Sequence, residues 1–369
     1  MVADAPGKAD EDKNDCARYG ATYQGLASTD FCYDVSGYVR AEILTEDVSH
    51  SADLIDNNEV NARARIDTVL LRESAIGTLS AFVRLQGDYD PGIFSDVIAG
   101  PTGDDFAVGL DAFTVSLFTA NGSFHAGELE NAGAFFIEDG FTDRGTESLD
   151  TRSSLGFAYQ TKIKEIDIRV SLNDPRETTD ANPIGPNVGF GISREVGPVR
   201  FNFGLAAVNV DDFLGNFDLP ALVRRTTPFR VAQDATYGFG VGADIVYDTE
   251  RVKGVVGVTY SKQASNDVIF SFSDGFDAVT AYVGGRIVLS ENLIANMDVS
   301  YVTASQKGLR NFNGLELAFN VEWRVFEDWK LLTEIGFDGV DEFGAGEGFF
   351  FVDRNEGRFD ALLQIQRDF

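Results

Sequence analysis

From Tyr33 onward the chain alternates apolar and polar residues in runs of ten or more. That period confines it to long β-strands with one dry face and one wet face. In YDVSGYVRAEI one face reads Tyr33, Val35, Gly37, Val39, Ala41 and Ile43, and the other Asp34, Ser36, Tyr38, Arg40 and Glu42. GTLSAFVRLQGDY, IKEIDIRVSLN, YGFGVGADIVY and LELAFNVEWRV repeat the pattern further along. Strands of soluble sandwiches average about five or six residues. Runs of ten or more match the ~9–11 residues that cross a bilayer at a tilt. No stretch approaches the ~18 consecutive apolar residues of a membrane helix, which excludes helical spans only, because barrel strands leave no such run.

The connections between strands alternate in length. Short turns are predicted at Glu73–Ala75, Thr119–Gly122, Lys164–Glu165, Glu195–Pro198, Asp248–Arg251, Ser290–Asn292 and Glu327–Asp328. Long polar loops fall between them, near 45–59, 90–105, 130–153, 174–187, 211–235, 263–276, 305–311 and 339–356. Seven turns and eight loops make sixteen strands, with both termini on the turn side. This is the asymmetry of a transmembrane barrel, with tight periplasmic turns and long external loops. The apolar set must face lipid, where a charge costs ~2–4 kcal/mol at the midplane. The polar set then lines a wet lumen, since side chains do not fill a barrel of this size. Closure pairs every backbone group, as lipid requires.

Composition narrows the function. Fifty-nine acidic residues against 30 basic ones give a net charge of −29, which disfavours nucleic acid, whose binding depends on Lys and Arg at the phosphates. There are 31 Phe and 38 Gly but 9 Pro, a balance that suits many strands joined by turns. The two cysteines, Cys16 and Cys32, bracket a short loop. An even pair of this kind points to a disulfide and an oxidising compartment. The opening VADAPGKADEDKND lacks a basic region and an apolar core, so an exported chain would already have lost its signal peptide.

CARYGATYQGLASTDFCYDVSGYVRAEI at the start and IQRDF at the end resemble the alphaproteobacterial general porins. The shared features are two cysteines around a YG stretch, GYVR on the first strand, and a closing strand ending Gln-Arg-x-Phe. The resemblance implies a sixteen-stranded homotrimeric channel whose third external loop folds inward to narrow the pore. The expected architecture is therefore an all-β, 16-stranded antiparallel transmembrane β-barrel over residues 32–369. Residues 1–31 form an acidic leader and disulfide loop ahead of it. The expected place is the outer membrane of a Gram-negative cell, with both termini periplasmic. The expected partners are outer-membrane lipid, the barrel-assembly machinery, and small hydrophilic solutes and ions, with no cofactor.

ENAGAFFIEDGFTDRGTESLD (130–150) occupies the place of the third loop. It carries Glu130, Glu138, Asp139, Asp143, Glu147 and Asp150 against Arg144. Its Phe135, Phe136, Ile137 and Phe141 suit a segment packed inside the barrel. Opposite, lumen parity holds Arg40, Arg63, Arg65 and Arg84, which stay protonated at any relevant pH. Acids on the loop facing arginines on the wall would set a transverse field, and such charges set ion preference. The other reading makes these arginines structural ion pairs. The expected function is passive diffusion of small hydrophilic solutes and ions with weak cation selectivity, without enzymatic turnover.

The alternatives have thinner support. A substrate-specific channel for sugars or carboxylates would call for a run of lumen aromatics, whereas Tyr38, Phe82 and Tyr282 are scattered. A barrel lipase or protease needs an acid–base constellation, but His50 and His125 fall near opposite ends of the barrel. A secreted sandwich or adhesin is opposed by strand length. VDDFLGNFD (210–218) offers Asp211, Asp212 and Asp218 without EF-hand spacing. GFGVG (238–242) precedes no helix, so its lumen-face glycines leave room or ease curvature instead of holding a dinucleotide. RRTTPFR (224–230) is a basic island in a long loop. Counting back from Phe369, Ile365, Leu363, Ala361 and Phe359 take the lipid face, and Arg367 can snorkel from it. The terminal strand must close against the first, near Tyr33, and Phe369 is the expected assembly signal.

Overall fold

A computed structural model describes residues 16–26, 29–45, 58–89, 106–129, 137, 140–142, 154–175, 185–211, 235–264, 276–306, 310–344 and 355–369. A single 3-10 turn, Cys16–Tyr19, precedes a two-residue strand β1 (Gln24–Gly25). The first wall comprises β2 (Cys32–Thr45), β3 (Asn58–Ser74), β4 (Gly77–Tyr89) and β5 (Phe106–Thr119). Four shorter strands follow, β6 (Gly122–Leu129), β7 (Ser154–Ile163), β8 (Ile166–Asn173) and β9 (Asn187–Val196). The wall continues through β10 (Val199–Asp211), β11 (Ala235–Asp248), β12 (Val252–Ala264) and β13 (Phe276–Ser290). It ends with β14 (Leu293–Gln306), β15 (Arg310–Phe326), β16 (Trp329–Gly344) and β17 (Asn355–Asp368).

Each strand from β2 to β17 pairs antiparallel with its sequence neighbour, and β17 pairs with β2. The result is the closed sixteen-stranded barrel, with β1 as a stub on β2. Closure leaves no free edge within the barrel wall. The seven short turns fall where the sequence places them. Ser74, Thr119 and Thr249 each donate a side-chain hydrogen bond to the carbonyl three residues on. Lys164 (φ 59°) and Gly197 (φ 62°) supply the left-handed residue that a two-residue hairpin needs to match strand twist.

The parity reading holds along the chain. Val35, Val39 and Ile43 are exposed on the outside of β2, as are Phe359, Leu363 and Ile365 on β17. Inward-facing Asn202, Asp244, Thr280, Asp298, Asn320, Glu334 and Asp360 are buried. One strand resets its own alternation. In β5, Leu110 and Phe113 both face outward, because Asp111 is an extra residue opposite the Arg84/Leu85 step of β4. Such a bulge shifts every later side chain to the other parity.

Six of the eight long connections are shorter than the sequence predicts, the last two by the most residues. The one near 305–311 contracts to 307–309, and the one near 339–356 to 345–354, because polar residues such as Asn311 and Asp341 continue the ladder. The seam also differs from expectation. Asp368 stands opposite Tyr38, and Phe369 exchanges both backbone hydrogen bonds with Gly37, each 3.0 Å. The seam cannot start at Tyr33, because Gln24 and Gly25 already pair with Tyr33 and Cys32. Gly37 is required there, since a Cβ would lie 2.8 Å from the Phe369 ring and 2.2 Å from the Arg65 carbonyl.

The Cys16–Cys32 disulfide, Cα–Cα 5.5 Å, ties the leader to the start of β2. Both cysteines pack with Leu71, Val69, Tyr19 and Tyr23 on the lumen side of the turn end. The Tyr19 hydroxyl donates to Glu73 at 2.7 Å, and burial together with that bond raises the phenol above its usual pKa. Residues 1–15 of the leader lie outside the described residues.

Candidate functional site

The lumen has two chemically distinct walls. On β2–β4 the four arginines expected at a constriction stand together on the inner face. Arg40 lies opposite Arg63 in the β2–β3 register, and Arg65 lies opposite Tyr38. Arg84 on β4 lies opposite Asp67. The guanidinium groups of Arg40 and Arg65 sit 5.9 and 5.8 Å from the Tyr38 ring centre, and that of Arg84 sits 5.3 Å from Phe82. Such stacking steers the planar groups along the wall.

Every one of these arginines meets a carboxylate of the same wall. Arg40 faces Glu42 at 3.4 Å, and Arg63 bonds Asp88, which also accepts from the Gln86 amide at 2.8 Å. Asp67 accepts from Arg65 at 2.7 Å and from Arg84 at 3.0 Å. Asp111, set forward by the bulge, comes within 3.8 Å of Arg84. The side chains keep partial access to the lumen, from 16% for Arg84 to 35% for Arg63. Glu42 and the parity of Asp67 were legible in the sequence. Asp88 and Asp111 as partners required the cross-strand register and the bulge.

The far wall, β9–β16, is a belt of buried polar side chains. Ser193 donates to Asn202 and Asn202 to Asp244, each at 2.7 Å. Tyr282 reaches Asp244 at 3.2 Å from two strands away. It can do so because β12 carries Gly257 between them, where a Cβ would come within 2.3 Å of the phenol ring. Asn296 donates to Asn320, and Asn320 to Glu334, at 2.7 and 2.8 Å. Buried groups of this kind persist only when hydrogen-bonded, and the chain of bonds crosses strand after strand.

The third loop enters here. The amides of Phe141 and Thr142 both donate to the Asp298 carboxylate at 2.6 Å, and Asn320 approaches the Phe141 carbonyl at 3.5 Å. Ile137 is buried against Gly242, where an added Cβ would lie 3.4 Å from its terminal methyl. Gly242 of GFGVG therefore makes room for a side chain, one of the two roles its sequence context implies. Lys253 lies 5.5 Å from the Phe141 ring centre. The described residues of the loop, 137 and 140–142, lie inside the barrel against β11–β15, with Ile137 and Phe141 facing the wall. The acids expected to charge its other side, Glu130, Glu138, Asp139, Asp143, Glu147 and Asp150, lie outside the described residues.

His125 faces the lumen, with Ser116 on one ring nitrogen and Ser123 on the other, both at 2.8 Å. His50, Asp212, Asp218 and RRTTPFR lie outside the described residues, which contain no cluster of metal-ligating side chains. The described helices include none long and apolar enough to cross a membrane, which says nothing of strands.

A family model described as the porin subfamily matches residues 14–349. No curated protein matches the chain by sequence. Solved structures share its architecture. The outer membrane channel DcaP of Acinetobacter baumannii superposes with a TM-score of 0.64 at 13% identity, covering 94% of this chain and 99% of that one. Outer-membrane expressed OmpT of Vibrio cholerae gives 0.62 at 12% identity, covering 94% and 100%. The anion-selective porin from Comamonas acidovorans gives 0.55 at 13% identity, covering 92% and 100%. At these identities the likeness is one of fold.

Proposed function

The chain belongs to the porin subfamily, and from that membership and its lumen chemistry we propose an outer-membrane channel for passive diffusion of small hydrophilic solutes and ions, weakly cation-selective. Membership makes it a general porin of the outer membrane; the ion preference, the trimer and the orientation are our reading. The observation carrying the ion preference is the pairing of each wall arginine with a wall carboxylate. Four arginines and four acids, Glu42, Asp67, Asp88 and Asp111, nearly cancel. The chain's surplus of acids, −29 in all, then remains unbalanced. Charge near a pore mouth concentrates counter-ions, and here these are cations.

The acids at 130–150 would add to the same field across the wall from Arg40, Arg63, Arg65 and Arg84. Cys16 and Phe369 lie at the turn end, which we read as the periplasmic side. The subfamily supports a homotrimer, and Phe369 would be read by the assembly machinery. A sugar-specific channel has less support. Tyr282 is buried and bonded to Asp244, and Tyr38 and Phe82 are engaged by arginines, so these three aromatics form no platform for stacking sugars.

Planar-bilayer recording tests the reading. Steps should be ohmic and scale with bulk conductivity, and the reversal potential in a KCl gradient should show cation preference that fades as salt rises. An anion preference at low ionic strength would overturn the selectivity, and the absence of conductance would overturn the channel.

A further inference from the structure

Asp298 is only 1% exposed and lies on the inner face of β14. One of its oxygens, Oδ2, accepts both the Phe141 and the Thr142 amide, bridging 157 and 156 residues of chain. Among the described residues its Oδ1 has no hydrogen-bond partner. Charge-assisted bonds to backbone amides are among the strong ones, and two converging on one atom define a position more sharply than apolar contact. The neighbouring strand is cut to fit. At Gly284 on β13 an added Cβ would stand 2.2 Å from Asp298 Oδ1 and 2.9 Å from the Phe141 ring. The carboxylate and the ring therefore share a socket that only glycine leaves open.

We infer that Asp298 is the positioning residue for the inward segment 140–142: it holds Phe141 and Thr142 against the wall and so sets the pore's effective cross-section. Sealed beneath Phe141, it acts through the backbone amides it accepts from and not as a charge presented to passing ions. The inference rests on the porin reading.

The test uses the full-length protein in planar bilayers, with Asp298→Asn, Asp298→Ala and Gly284→Val beside the wild type. Heat-modifiable migration on gels confirms that each variant forms the barrel. Asn keeps an oxygen at the Oδ2 position without the charge. A positioning role therefore predicts open-channel noise and unit conductance close to wild type for Asp298→Asn. For Asp298→Ala it predicts a several-fold rise in noise with new subconductance levels. Gly284→Val, which crowds the socket with no change of charge, should resemble Asp298→Ala. If Asn and Ala instead shift the reversal potential equally with quiet currents, Asp298 acts as a charge and the inference falls. Steady wild-type-like currents in both Ala and Val would overturn it too. A wild-type protein that forms barrels without conducting would overturn the porin reading itself, and the two failures are thus distinct.

Discussion

Asp67 is the carboxylate on which the arginine wall turns, since Arg65 and Arg84 both bond to it. Asp67→Asn leaves two guanidinium groups facing the lumen with one fewer compensating charge. The cation-to-anion permeability ratio should fall by roughly twofold at low ionic strength and recover toward wild type at high salt. Arg65→Gln should move the ratio the other way, and the double substitution should return it close to the starting value. Reversal potentials in a KCl gradient measure all three, and an unmoved Asp67→Asn would mean that permeating ions do not sense this wall. Arg63, Arg65 and Asp67 were each legible by parity, because a period of two assigns every strand residue to a face. Their pairing was not. Arg63 and Asp88 are 25 residues apart, and only the β3–β4 register brings them together. Asp298 shows the same limit more sharply, because parity marks it as inward while nothing local names amides 157 residues away as its partners.

Strands and turns were the most legible elements, since lipid outside and water inside impose alternation on each of them. Alternation failed to predict in two kinds of place. Where an extra residue enters, as at Asp111, the period is kept on both sides but its phase changes. Where strands rise beyond the apolar band, as in β16 to Gly344, polar residues continue the hydrogen-bond ladder without a hydrophobic signature. The seam combines both lessons. Outward Phe359, Leu363 and Ile365 follow parity, yet the starting point at Gly37 depends on β1 occupying the residues before it. Removing Phe369 deletes the two backbone bonds to Gly37 and the aromatic group seated over it. Lys330 would still hold Asp368 at 2.6 Å, and the β17–β2 ladder from Asp368 to Ala361 would remain. The deletion should therefore cut the amount of folded protein recovered from membranes while leaving the unit conductance of the inserted fraction unchanged. Normal membrane yield would show that Phe369 is no assembly signal, and altered conductance would show that the terminal residue shapes the pore.

For the molecule as a whole, the decisive property is that its outside is apolar and its inside polar, the reverse of a soluble fold. On β15 the outward residues run from Leu315 through Leu317, Phe319, Val321 and Trp323 to Val325. The ten steps from Leu315 to Val325, at ~3.3 Å each and a tilt of ~40°, span about 25 Å along the membrane normal, the height of the apolar band of an outer-membrane barrel. The chain has two tryptophans, and both lie at the turn-side edge of this band. Trp323 is 49% exposed, and Trp329 is 37% exposed with Arg367 5.7 Å above its ring. Amphipathic rings beside a basic residue are what a membrane–water boundary accommodates. Tryptophan emission therefore reports that boundary without added labels. In liposomes containing brominated phospholipids, bromines close to the headgroup should quench it strongly, and bromines at the chain end should quench it much less. Aqueous iodide should have little effect. Equal quenching at both depths would place the rings too deep for the turn-side edge, and emission quenched by iodide alone would place that wall against water and overturn the assignment of inside and outside on which the reading of the lumen depends.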